Sequence, residues 1–198
     1  DSDDWTNTSK EVGSYIKSKT LAEKAAWEYV NNHPNISFKM TTIHPGMVFG
    51  PLLSDKKDGI SSAIIKKMIN GDFPALPNIY FTVVDVRDVA ELHVKSLKLS
   101  ESNQKRIIVT SKDSISFISI SEKLRALGFD KSPVNLIPNQ VINSLSLFNK
   151  GMKTTAAMVK RGSYGADISE TLKIYDWSPI PFDRTIRDMT NSIKNFST

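Results

Sequence analysis

The sequence predicts an α/β fold with mostly parallel strand pairing. Three observations carry that prediction. Short runs rich in β-branched residues alternate with longer runs of helical periodicity, and Gly, Pro or Asn punctuation separates them. A third is the composition: 39% hydrophobic and 24% charged residues in a chain of 198 is a globular balance with enough length to bury a core.

Tyr15 to Asn32 reads as a helix, with Leu21, Ala22, Ala25, Ala26, Tyr29 and Val30 as its apolar stripe and Asn31-Asn32-His33-Pro34 as its end. Ile36 to His44 alternates like a strand, and Pro45-Gly46 breaks it. Ile60 to Asn70 is a second helix closed by Gly71, and a loop with Pro74 and Pro77 follows. Tyr80 to Val84 is a short strand. It runs into a helix whose buried face is expected to carry Val86, Val89, Ala90, His93, Val94 and Leu97. Asp85 suits the N-cap, and Asp88 the reciprocal position three residues on. Arg106 to Thr110 is a third strand, followed by a helix over Ser116 to Leu127 closed by Gly128. The rest is expected to be helical near Asn139 to Asn149, Ser169 to Tyr175 and Asp183 to Phe196. No internal repeat is visible.

Several classes are excluded. Without cysteine there is no disulfide framework and no Cys-ligated zinc. No apolar run approaches the roughly 18 residues of a membrane-spanning helix. The opening Asp1-Ser2-Asp3-Asp4-Trp5 is unlike a secretory signal. The absence of thiols fits a reducing compartment, so the expected location is cytoplasmic. The net charge is +5 and the pI about 9.3, but the basic pairs Lys56-Lys57, Lys66-Lys67, Lys105-Arg106 and Lys160-Arg161 are scattered. No aromatics interleave with them, so no nucleic-acid partner is expected, and without a spanning helix no membrane partner is expected either. His33, His44 and His93 share no metal-ligand spacing, and no metal site is expected. With no initiator Met and only about three strands, few for a covered parallel sheet, the chain reads as a piece of something longer.

Tyr15 and Lys19 stand four apart at the start of a helix, one above the other on one face. A phenol beside an ammonium can exchange a proton with a carbonyl or alcohol oxygen. By itself the spacing is common, and an ordinary surface pair has the same pattern. A Pro-Gly break directly after a strand lies where open α/β sheets bind ligands, and Gly46 would let a flat ring approach the backbone without a Cβ in the way.

Four segments in order add to this. Tyr15-Ile16-Lys17-Ser18-Lys19, Ala22-Glu23-Lys24 and Trp27-Glu28 resemble the active-site helix of the extended short-chain dehydrogenases/reductases of the NAD-dependent epimerase/dehydratase superfamily. His44-Pro45-Gly46-Met47-Val48-Phe49-Gly50-Pro51 resembles that family's Pro-x-x-Val-x-Gly-Pro turn. Val84-Asp85-Val86-Arg87-Asp88-Val89-Ala90 and Asp167-Ile168-Ser169 through Trp177-Ser178-Pro179 resemble two later segments. The dihydroflavonol-4-reductase-like branch is the nearest in pattern.

The resemblance implies a Rossmann-type parallel sheet with a small, mostly helical substrate-binding lobe. Residues 1–198 would form its carboxyl-terminal portion, without the amino-terminal dinucleotide-binding half. It implies NADP as cofactor, with NAD the alternative, and a small-molecule carbonyl or alcohol substrate. Tyr15 would be the acid/base, and Lys19 would assist it and hold the nicotinamide ribose. Backbone groups from Pro45 through Gly46 and Met47 to Val48 would hold the nicotinamide, and Ser62 or Ser61 would lie towards the adenosine phosphate. The loops Leu52 to Asp58 and Phe73 to Phe81 would close the substrate pocket. The family's Gly-rich fingerprint is absent from these residues. So is its active-site Ser or Thr, for which Ser2, Ser9 and Ser14 are no substitutes. This piece alone is therefore expected to be inactive.

Two alternatives stay open. One is a nucleotide-sugar epimerase/dehydratase or a steroid dehydrogenase, which share the Tyr-Lys helix. The other is a non-catalytic binding or oligomerisation fragment with a free sheet edge. His44 and His93 read as structural, with His93 expected in the core. Trp27 and Trp177 are expected to pack, and Asp85, Arg87 and Asp88 to form a cap and ion pair, with bracing of a site as the alternative reading.

Overall fold

The helix predicted from Tyr15 begins one residue earlier, with α1 spanning Ser14–Asn32 in the computed structural model. The structure describes residues 1–9, 12–54 and 59–196. The expected stripe on α1 is corrected. Only Thr20 and Val30 are buried, while Leu21 and Tyr29 are exposed. The helix meets the sheet through its polar side instead.

The first predicted strand starts late and ends late. Ile36 to Met40 forms no strand, β1 is Thr42–Pro45, and the chain passes through Gly46 into β2, Met47–Phe49. The two halves have different neighbours. β1 runs parallel to β5 (Arg106–Val109), with Thr42 opposite Arg106 and Pro45 opposite Val109. β2 runs parallel to β4 (Val83–Asp85), with Met47 opposite Val83. The Pro-Gly corner is therefore the point where one strand changes partner, not where it stops. The second predicted strand divides in the same way: β3 (Tyr80–Phe81) pairs antiparallel with β6 (Ile115–Ser116) before Val83 begins β4.

The helices follow their end signals. α2 is Ile60–Asn70, and Gly71 adopts the left-handed conformation that closes it (φ 79°). α3 is Val86–Ser96, capped by the Asp85 carboxylate on the Arg87 N–H. α4 is Phe117–Ala126, capped by Ser116. The predicted Asn139 helix is shorter, with α5 at Asn139–Ser146, and a further helix unforeseen from the sequence follows it, α6 at Lys150–Arg161. Asn149 separates the two and caps α6 through the N–H groups of Gly151 and Met152. α7 is Ser169–Tyr175 and α8 is Phe182–Phe196.

Two cores result. Phe49, Ile65, Met68, Ile120, Leu124, Ile186 and Met189 join β2, α2, α4 and α8. Val84, Leu92, Ile107, Val109 and Trp177 join β4, β5, α3 and the turn after α7. The buried face of α3 is not the predicted apolar one. Val94, Leu97 and His93 are exposed, and Asp88 and Leu92 point inward. Asp88 tolerates burial because Trp177 Nε1 (3.2 Å) and the Ile180 N–H (3.0 Å) both donate to it. It is a brace between α3 and the carboxyl-terminal turn, not the reciprocal capping partner expected. The Phe73 to Phe81 loop is anchored in the core: Leu76 and Ile79 are buried, and Leu76 exchanges backbone hydrogen bonds with Asn135 and Ile137. The Leu52 to Asp58 loop lies in part outside the described residues, and Leu52 itself donates from its backbone to Ser192 Oγ at 2.9 Å.

Candidate active site

Helical geometry sets Tyr15, Lys19 and Glu23 in a row, because residues four apart overlie one another. The Lys19 Nζ lies 5.7 Å from the centroid of the Tyr15 ring. Tyr15 is 68% exposed, so its hydroxyl is open to a ligand. The row faces β1 across an open cleft of about 670 Å³. Tyr15 and Lys19 on α1, Pro45 at the end of β1, and Trp5 line it, with Glu23, Thr42 and His44 meeting between the helix and the strand. A second open cavity of about 600 Å³ lies beside it, against Trp27, Asn31, Lys105 and Glu170, and no predicted site residue reaches it.

The polar floor of the cleft is a set of residues that sequence reasoning missed. Glu23 Oε1 accepts hydrogen bonds from Arg106 Nε (2.9 Å), Thr42 Oγ1 (3.0 Å) and Trp27 Nε1 (3.2 Å), and lies 2.9 Å from His44 Nε2. Arg106 Nη2 reaches the other oxygen at 3.2 Å. This cluster fastens α1 to β1 and β5. Burial opposes the charge on Glu23, but the Arg106 guanidinium, His44 and the neighbouring donors outweigh it and hold the carboxyl below its ordinary range. Burial, helped by Arg106 and against the pull of Glu23, pushes the His44 imidazole below its ordinary 6.5. Arg106 is itself clasped from outside: its guanidinium stacks 3.9 Å from the Trp5 ring and donates to the carbonyls of Ser2 (2.5 Å) and Asp4 (2.9 Å). A signal for Glu23 existed, since it continues the four-residue spacing of Tyr15 and Lys19. Arg106 had none, because it is 83 residues away.

The Pro-Gly corner is held by strand pairing. Gly46 donates to the Val109 carbonyl (3.1 Å) and Met47 to the Thr82 carbonyl (2.8 Å), so these two N–H groups are committed to strand pairing. A Cβ at Gly46 would lie 2.0 Å from Thr110 Oγ1 and 2.6 Å from the Thr82 carbonyl oxygen. The protein's own packing by itself requires a glycine here. Met47 and Val48 pack against the two cores behind the corner. Ser62 is buried, and its hydroxyl donates to the Gly59 carbonyl at 2.9 Å. The structure thus brings Tyr15, Lys19 and Pro45 to one cleft and leaves Gly46, Met47, Val48 and Ser62 outside its lining.

The cap and ion pair at Asp85 stand as expected. Asp85 accepts from Arg87 Nε (2.9 Å), Arg87 Nη2 (2.7 Å) and Thr185 Oγ1 (2.7 Å), and Arg87 Nη1 donates to Asp188 at 2.7 Å. The cluster ties α3 to α8. Among the described residues, no group of three or more His, Asp and Glu side chains converges as a metal site would.

Parallel strands, flanking helices and a helix-borne Tyr-Lys pair beside a strand's carboxyl end define the Rossmann-type fold of the reductases and epimerases. Solved structures agree. Gre2 from Candida albicans in complex with NADPH matches with a TM-score of 0.71 at 21% identity, covering 100% of this chain and 57% of that one. A nucleoside-diphosphate-sugar epimerase from Pseudomonas aeruginosa matches at 0.76 and 14% identity, covering 96% and 58%. No family model matches the chain. Its sequence relatives include cinnamoyl-CoA reductase CAD2 of Medicago truncatula, 39% identical over 95 residues (48% of this chain, 28% of that protein). They also include the NADPH-dependent methylglyoxal reductase GRE2 of Saccharomyces cerevisiae, 32% identical over 105 residues (50% and 31%). These sequence relatives are reductases, and the structural neighbours, at 21% and 14% identity, share the fold. The match spans about a third of the length of these curated relatives.

Proposed function

We propose that this chain carries the acid/base half of an NADPH-dependent reductase that reduces a small ketone or aldehyde. The observation that carries this reading is the Tyr15-Lys19 row facing Pro45 across one cleft. The sequence relatives named above are reductases, which favours this over the epimerase reading, for which there is likeness of fold alone.

A bound nicotinamide coenzyme would supply the hydride. The residues present fit its nicotinamide end: Tyr15 and Lys19 are exposed polar groups on the cleft wall, and Pro45 offers an apolar surface opposite. Lys19 would hold the ribose. Tyr15 would give its hydroxyl proton to the carbonyl oxygen, and the Lys19 ammonium would place positive charge beside the oxygen left behind. The Glu23–Arg106 contact keeps α1 on the sheet, and with it both side chains. No Gly-rich pyrophosphate cradle lies among these 198 residues, so that contact belongs to other residues of the reductase.

The test is Tyr15→Phe in the complete protein, with NADPH consumption followed on small aldehydes and ketones. Turnover should fall by about 10²–10⁴-fold, while NADPH affinity measured by fluorescence titration stays within about twofold, since the ring and Lys19 remain. Wild-type turnover in that variant would remove Tyr15 from the mechanism. Activity on nucleotide sugars without net NADPH consumption would favour the epimerase reading.

A further inference from the structure

The net charge is not spread over the chain. Five of the 26 basic residues and none of the 21 acidic ones lie between Lys131 and Ala166, so the remainder balances at 21 and 21. The whole excess of +5 belongs to the lobe that contains α5 and α6.

Within that lobe the charge has a direction. Lys150, Lys153, Lys160 and Arg161 fall within about 100° of arc on α6 at 3.6 residues per turn, and all four are exposed. Met158 and Val159, elsewhere on the helix, pack towards the first core. Lys150, Lys153 and Lys160 form no ion pair among the described residues. Immediately before α6, at the tip of the α5–α6 hairpin, Leu147 is 74% and Phe148 is 89% exposed. Two consecutive large apolar side chains therefore project into solvent beside a row of uncompensated lysines.

We propose that this hairpin is a membrane-surface binding element. Its lysines lie against an anionic lipid headgroup layer, and Leu147 and Phe148 insert at the acyl boundary. Charge complementarity selects an anionic surface. The shape selects lipid over other polyanions: the apolar pair stands on a convex tip and needs a phase to enter. Phe148 is also the one aromatic residue between Lys131 and Arg161, too few for a base-stacking platform. No helix among the described residues is long and apolar enough to cross a membrane, so this is peripheral attachment.

The test is vesicle co-sedimentation of the purified protein. It should bind phosphatidylcholine vesicles containing about 30% phosphatidylserine and not phosphatidylcholine alone, and binding should weaken at high salt as the Debye length shrinks. Each lysine contributes about fivefold, so Lys150→Glu/Lys153→Glu/Lys160→Glu should lower partitioning by more than about a hundredfold. Leu147→Ser/Phe148→Ser should lower it by at least about tenfold. Both variants should keep the wild-type melting temperature, because these side chains bury nothing. Failure of the wild type to bind anionic vesicles overturns the proposal, as does unchanged binding by either folded variant. Binding to heparin that survives Leu147→Ser/Phe148→Ser, without lipid binding, would mark a polyanion surface instead and equally overturn it.

Discussion

At the scale of single residues, local spacing was readable and long-range company was not. Tyr15 and Lys19 are one helical turn apart, so any helix there must align them, and the structure does. Gly46 shows the opposite case. A glycine after a proline at a strand end reads as room for a ligand, yet the space is filled by Thr110 and the Thr82 carbonyl, 64 and 36 positions further along the chain. Gly46→Ala should therefore destabilise by about 2–3 kcal/mol through overpacking, read as a lower urea midpoint with an unchanged slope. Adding Thr110→Ala should recover only part of the loss, because the Thr82 carbonyl oxygen remains 2.6 Å from the new methyl. Full recovery would mean that the side chain alone forbids a Cβ. Glu23 belongs with Gly46. Its type and position were visible, but not the Arg106 and His44 contacts that give it its charge and its role.

At the scale of elements, ends were easier to read than faces. Gly71, Gly128 and Ser116 closed or opened helices where the sequence placed them, because capping chemistry acts within a turn. The inward face of α3 was misread because the apolar count favoured Val86, Val94 and Leu97, whereas hydrogen bonds from Trp177 and Ile180 make Asp88 the buried residue. α6 gave no signal of its own, since none of its residues is fully buried. The Asp85 cluster can be tested at this scale. Asp85→Ala removes the α3 cap and leaves Arg87 and Thr185 without their shared acceptor, and should cost about 3 kcal/mol. Asp85→Asn keeps the cap and should cost less. Trp177→Phe removes one donor to a buried carboxylate and should cost about 1.5 kcal/mol. All three are measurable as urea midpoints, and an Asp85→Ala protein as stable as wild type would show that the cluster contributes nothing net.

At the scale of the whole molecule, the charged clusters predict how stability varies with pH. Burial works against the charge on Asp85 and Glu23, yet the Arg87, Arg106 and hydroxyl hydrogen bonds hold both carboxyls below their ordinary values. Their stabilisation is present above the ordinary carboxylate range and is lost as pH falls through it towards the lower folded values. Burial and Arg106 hold His44 below 6.5, so the unfolded chain takes up that proton first and stability begins to fall as pH drops below about 6.5. Asp88 has the opposite sign, since burial raises it and its protonated form favours the fold. Three of the four groups act together, so the melting temperature should decline from pH 7 towards pH 4. His44→Gln should flatten the upper part of that decline, which begins as pH falls below the ordinary histidine value. An unchanged profile in His44→Gln would remove the imidazole from the account.

The sequence by itself determined the α/β alternation, most helix ends and the Tyr-Lys pair, because each depends on neighbours within a turn or on the period of a strand. Only the tertiary structure decided that the strands at 42–49 and 80–85 each divide between two partners, that Glu23 meets Arg106, and that Leu147 and Phe148 stand exposed at the α5–α6 tip. Those outcomes depend on which distant segments share an edge, a charge or a surface, and no local pattern of residues encodes that.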